Sequence, residues 1–152
     1  MFNILPDWLY NKIACDYVLD YVYEIRLRVN RPIVINYKGC YKIITNKEGY
    51  AEVPIIANFD LINYIIAVST KQSFYAYNNQ IKQGFITTDN GIRIGLCGTV
   101  VYDKGEIATI KDITSLNIRI SHQVANCSDK IINLLCVNDV VKNTLIISPP
   151  GA

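Results

Sequence analysis

The chain has 152 residues, of which 51% are hydrophobic and 18% charged, and its formal net charge at neutral pH is only +2. That size suits one domain of ordinary dimensions with a true core, and the composition excludes a disordered chain. The small charge surplus gives no argument for nucleic acid or for an anionic membrane surface.

In chain order, Pro6 and Asp7 suit a first helical turn, because Pro needs no donor there and Asp complements the helix dipole. Leu5, Trp8, Leu9, Ile13 and Tyr17 follow at helical spacing. Residues 24–29 alternate strictly. As a strand they put Ile25, Leu27 and Val29 on one face and Glu24, Arg26 and Arg28 on the other. After the break at Asn30-Arg31-Pro32, residues 33–37 and 41–44 read as two more strands joined by a turn at Lys38-Gly39. Residues 45–59 read as loop.

A helix with Leu61, Ile62, Ile65, Ile66 and Val68 on one face comes next. A second helical run carries Phe74, Tyr77 and Ile81, and Gly84 is placed to end it. Residues 85–88 and 92–102 read as a hairpin around Asp89-Asn90-Gly91, where Asn-Gly suits a tight turn. Gly95 and Gly98 inside the long strand point to a bulge or to close approach of another backbone. A short strand at 106–110 and an alternating one at 113–121 complete the set, the latter with Leu116, Ile118 and Ile120 opposed to Asn117, Arg119 and Ser121. Ser128 and Asp129 then suit the start of a helix over 128–138, with Ile131, Ile132, Leu135 and Cys136 as its apolar face. Thr144 to Ile147 reads as a short apolar strand.

Chemistry-bearing clusters are few. The five cysteines, Cys15, Cys40, Cys97, Cys127 and Cys136, form no CxxC pair, and His122 is the one histidine, so no zinc ligand set can be assembled. Core or surface thiols in a reducing cytoplasm are expected. One histidine gives no basis for a nucleophilic hydrolase either. The apolar run 65–68 is far below the ~20 residues of a membrane span, so direct membrane insertion is not expected. The many tyrosines favour core and interface packing over base stacking, and nucleic acid is not an expected partner.

The tail is the exception. A buried strand running into a Gly-containing turn is how a phosphate-binding P-loop opens, and the full motif is GxxxxGK[ST]. Ser148, Pro149, Pro150, Gly151 and Ala152 would fill its first five places, with Ser148 where the motif has its first Gly. By itself a Pro-Pro-Gly tail after a strand is more often an ordinary turn.

Residues 24–32 (EIRLRVNRP), 84–87 (GFIT), 91–98 (GIRIGLCG) and 115–120 (SLNIRI), together with Ser148-Pro149-Pro150-Gly151, resemble the stage III sporulation protein AA family in order and spacing. This resemblance runs over essentially the whole chain. It implies kinship with type II secretion and pilus-retraction ATPases, hence an α+β fold. Residues 1–121 would form a PAS-like mixed α/β N-terminal domain with a largely antiparallel sheet. Residues 122–152 would supply linker, first helix, first strand and truncated P-loop of a RecA-like ATPase domain. The P-loop lysine and the acidic residues for magnesium are missing, so no catalytic residue and no cofactor is expected for this stretch by itself. The intact parent would use ATP and Mg. Implied partners are its own copies, as a hexamer, and a membrane protein of the sporulation channel. The implied location is cytoplasmic, in the mother cell, peripheral to the membrane through that partner.

The resemblance also implies a role for arginines that approach nucleotide at a neighbouring subunit, and by segment match these are Arg93 and Arg119. A guanidinium is permanently charged and offers paired donors to phosphate oxygens. The plain alternative is a solvated strand arginine. Arg26 and Arg28 read either as a solvated strand face or as a subunit or partner contact. A second function class stays open, a free-standing PAS-like binding or interaction module without ATPase activity.

Overall fold

A computed structural model describes residues 3–122, 126–137 and 140–149. The chain divides into two compact units, Met1–His122 and Gln123–Ala152, each described by itself below.

The first unit is α+β. Its helix α1 (Asp7–Asp16) starts after extended Pro6 and buries Leu9 and Ile13, one turn apart on the same face. Trp8, read as part of the apolar stripe, is instead half exposed, because Leu5 and Leu9 already fill that side of the helix.

Strands β1 (Val22–Arg28), β2 (Val34–Tyr37) and β3 (Cys40–Ile43) form the expected meander. Residues 45–59 do not form a loop. They contain an antiparallel ribbon, β4 (Thr45–Glu48) and β5 (Ala51–Pro54), turned at Gly49 with φ 64°. Ile33, Ile44 and Ile55 tie it to the rest through three backbone hydrogen bonds of 2.8–2.9 Å, Ile44 N–H to Ile33 O, Ile55 N–H to Ile44 O and Ile33 N–H to Ile55 O.

Asn58 caps helix α2 (Phe59–Ser69), its Oδ1 accepting the Leu61 N–H at 2.9 Å. This helix buries Leu61, Ile62, Ile65 and Ile66. A 3₁₀ turn (Phe74–Tyr77) leads into the short helix α3 (Asn78–Lys82), which buries Ile81. Gly84, at φ 80°, ends it as expected.

Strands β6 (Phe85–Thr87), β7 (Arg93–Asp103) and β8 (Glu106–Arg119) complete a sheet of order β3-β2-β1-β8-β7-β6, every neighbouring pair antiparallel. The β6–β7 connection is wider than a two-residue turn, and of Asn90 and Gly91 only Gly91 takes positive φ. Residues 106–119 form one strand rather than two. It passes Lys111-Asp112 through a bulge, with Asp112 at φ 47°.

Register explains the core. Ile35, Ile25, Ile118, Ile94 and Ile86 stand side by side across β2, β1, β8, β7 and β6, each at most 1% exposed. Leu27, Leu116 and Leu96 make the adjoining row. Helices α2 and α3 pack against β8. Burying each such side chain contributes roughly 1.5–3 kcal/mol. With period-two alternation, the residues between these positions stand on the opposite, open face.

In the second unit the helix expected over 128–138 shrinks to one turn, α4 (Ile132–Leu135). Turns at 126–131 precede it, and a two-residue pairing of β9 (Cys136–Val137) with β10 (Val140–Val141) follows. The strand read at Thr144 to Ile147 is not formed; Leu145, Ile146 and Ile147 are largely exposed. No described residue of this unit is fully buried, so an apolar helical stripe has nothing to pack on.

Candidate functional site

The open sheet face is organised in rows. The first runs Tyr41, Asn36, Glu24, Arg119, Arg93, Thr87 from β3 to β6. The second runs Ile43, Val34, Arg26, Asn117, Gly95, Phe85. The last is Arg28, Ser115, Cys97. Arg31 follows β1 just past Arg28, in a turn set by Asn30 at φ 58°. All five arginines of the chain therefore belong to this face or its end, while its ten lysines lie off these rows.

One carboxylate stands among them. Glu24 is only about a tenth exposed (11%) and pairs with Arg26, Nη2 to Oε2, at 3.0 Å. Tyr41 donates to the same carboxylate at 3.2 Å and receives the Arg26 Nη2–H at 2.5 Å, and the Arg26 guanidinium lies 4.3 Å over the Tyr41 ring. Burial pushes the Glu24 carboxyl up. The hydrogen bonds from Arg26, Asn117 and Tyr41 and the charge of Arg26 outweigh it, and the pKa ends below the ordinary glutamate value. Asn117 and Asn36 each leave an Oδ1 buried with no hydrogen-bond partner among the described residues.

The other arginines are less engaged. Arg93 stacks on Phe85 with 4.0 Å to the ring centre. Arg28, Arg31 and Arg119 make no ion pair among the described residues. Arg93 and Arg119 are direct cross-strand partners, so two like charges share one face about 5 Å apart at the backbone. On its other side Arg119 stands opposite Glu24.

Across the open face from β3 to β7 runs an open groove of about 830 Å³. Arg26, Arg28 and Arg31 line it together with Pro32, Val34 and Ile43, over a floor that includes Gly95, Ser115 and Asn117. Its arginines stand between an apolar flank on β2 and β3 and a polar one on β8.

The sequence-derived site residues fall in separate places. Arg93 and Arg119 come together on the first unit. Ser148 and Pro149 are exposed in the second, with the Ser148 hydroxyl 3.2 Å from the Pro149 carbonyl oxygen. Pro150, Gly151 and Ala152 lie outside the described residues.

Glu24 and Arg31 were not singled out, although the alternation of 24–29 already put Glu24 beside Arg26. His122 has a structural place. Its Nε2 is 2.7 Å from the Val22 carbonyl oxygen, so that nitrogen carries the proton, and the ring stands edge-on to Tyr23. Among the described residues no group of His, Cys, Asp and Glu is arranged to hold a metal ion. Four of the five cysteines are exposed and Cys136 is half-buried, all as free thiols. No described helix is long and apolar enough to cross a membrane.

The first unit is thus an α+β domain with an antiparallel sheet, helices packed on one face and rows of arginine on the other. Residues 3–152 match the sequence family described as sporulation stage III, protein AA. Over 127 residues the chain is 33% identical to stage III sporulation protein AA of Bacillus subtilis (strain 168), covering 84% of this chain and 38% of that protein. The chain belongs to the stage III sporulation protein AA family, and it spans well under half the length of that relative.

Proposed function

We propose that the chain is the N-terminal, non-catalytic portion of a sporulation-associated ATPase of the secretion and pilus-retraction type. In this reading Met1–His122 is a PAS-like domain, and Ser148 to Ala152 open a P-loop that the longer protein completes. The intact protein assembles as a ring of copies, a hexamer, in the mother-cell cytoplasm. It meets the membrane through a protein of the channel and uses ATP to power that channel.

The observation that carries this reading is the Arg93–Arg119 pair. Two arginines directly opposite each other on neighbouring strands, with the Arg93 guanidinium stacked on Phe85, offer paired donors that suit the oxygens of a phosphate chain. The residues of this face fit phosphate charge. They offer no carboxylate set for magnesium, which the rest of the longer protein would have to hold. ATP supplies the bond that is broken. What this chain contributes is positive charge from Arg119 and Arg93, directed at the nucleotide of a neighbouring copy. Family membership and the partial coverage of the longer relative support the same reading.

The test is ATP hydrolysis by the intact protein. Arg119→Ala is expected to lower kcat by at least about tenfold, with Arg119→Lys recovering only part of it, because an amine is a point charge without the paired donors. Turnover of Arg119→Ala within about twofold of wild type refutes the role, on the scale at which such arginines act.

A further inference from the structure

Beyond the last row of the sheet, β7 and β8 continue with no third strand beside them, and Ile110 near the base of this extension is buried in the core. Their ladder runs from Thr99 opposite Lys111 to Asp103 opposite Glu106. From Thr99 to Asp103 this arm spans at most about 14 Å at 3.4 Å per residue. At its tip Asp103 and Glu106 face each other, and Tyr102 pairs with Ile107. Tyr102 is 66% exposed and Ile107 and Val100 are 40% exposed. Neither carboxylate makes an ion pair among the described residues. Lys104, in the turn between them, is the tip's one cation, so a net negative charge remains.

That tip carries carboxylates beside apolar side chains. The groove on the open face carries the converse, Arg28 and Arg31 beside Pro32, Val34 and Ile43. The arm leaves the sheet at the Arg28–Ser115–Cys97 end, with register shifts between Cys97 and Thr99 and between Val101 and Tyr102.

We propose that the arm of one copy seats in the arginine groove of a second copy, Asp103 and Glu106 against Arg28 and Arg31, Tyr102 and Ile107 against the apolar wall. The contact joins two different patches, so it is heterologous: repeated, it closes into a ring or runs on as a filament. It concerns this chain's own surfaces and holds or fails independently of any ATPase activity.

Sedimentation velocity of the 152-residue chain tests it, at about 5–200 µM and at about 50 and 500 mM salt, where screening differs several-fold in range. Wild type is expected to associate reversibly with concentration, and less at high salt. Asp103→Lys/Glu106→Lys should weaken association at least about tenfold, and so should Arg28→Glu/Arg31→Glu, as expected for like charges brought face to face. An equimolar mixture of the two variants should recover it, since each tip then finds an opposite groove. All four positions are exposed, and circular dichroism of each variant confirms that it is folded. A monomer at every concentration overturns the proposal. So does association that either double variant leaves unchanged, or a mixture that stays apart.

Discussion

Gly98 sits where β7 meets the bulge in β8, and replacing it with alanine gives a prediction that can be worked from coordinates. A Cβ there would stand 2.5 Å from Lys111 O, 2.9 Å from Ile113 Cα and 3.0 Å from Asp112 O. All three are backbone atoms, so no side-chain end can swing away. The two strands must separate locally by about an ångström, a case of overpacking that costs ~1–3 kcal/mol, and loosening one flanking ladder bond adds about 1 kcal/mol. A total near 3 kcal/mol corresponds to a fall in Tm of about 6–12 °C for a chain of this length. Thermal melting by circular dichroism, checked by urea unfolding, measures it. Gly95→Ala is the control. Its nearest atoms are Asn117 Cβ at 3.7 Å and Asn117 O at 3.8 Å, ordinary contacts, and alanine is as good a strand residue or better. If Gly98→Ala melts within about 2 °C of wild type, the steric reasoning fails, because the lower bound of overpacking together with the loosened ladder bond, about 2 kcal/mol, corresponds to about 4–8 °C.

Two more outcomes follow from local geometry. Folding lowers the Glu24 pKa below its unfolded value near 4.5, so its stabilisation is full above that value and is lost as pH falls through the folded one. Glu24→Gln should therefore be less stable than wild type at pH 7, with the difference in Tm closing as the pH falls below the unfolded value and through the lowered folded one; a gap unchanged with pH would show that the carboxylate charge is not what Arg26 and Tyr41 hold. Asn58→Ala removes the side-chain acceptor for Leu61 N–H at the start of α2 and should cost about 1 kcal/mol in urea unfolding, against little change for Asn58→Ser.

The sheet was legible where one face is buried and the other wet. The alternation at 24–29 and 115–120 places every isoleucine and every arginine on its correct face, because a one-residue slip would invert both sets. The β4–β5 ribbon was not legible. Thr45-Asn46-Lys47-Glu48 and Ala51-Glu52-Val53-Pro54 are exposed nearly throughout, so no periodicity marks them, and backbone bonds through Ile44 and Ile55 hold the ribbon in place. The opposite error fell at 128–138. There the apolar spacing is helical, yet helices of that length depend on a packed face, and the described residues around it bury none. The arginine pair at 93 and 119 was legible as two separate residues. Their adjacency comes from the β7–β8 register, which places residues 26 positions apart in the chain directly opposite each other.

The segregation of arginine from lysine also gives the molecule a chemical address. A dicarbonyl reagent selective for guanidinium groups would label one side of the first unit, whereas amine-directed reagents would decorate the others. Of its five targets, Arg26 is held by Glu24 and Tyr41 and Arg93 is stacked on Phe85, so Arg28, Arg31 and Arg119 should be modified first. Whatever occupies that side in a cell would then leave a footprint readable by mass spectrometry, at residues already known by number, before the occupant itself has been identified.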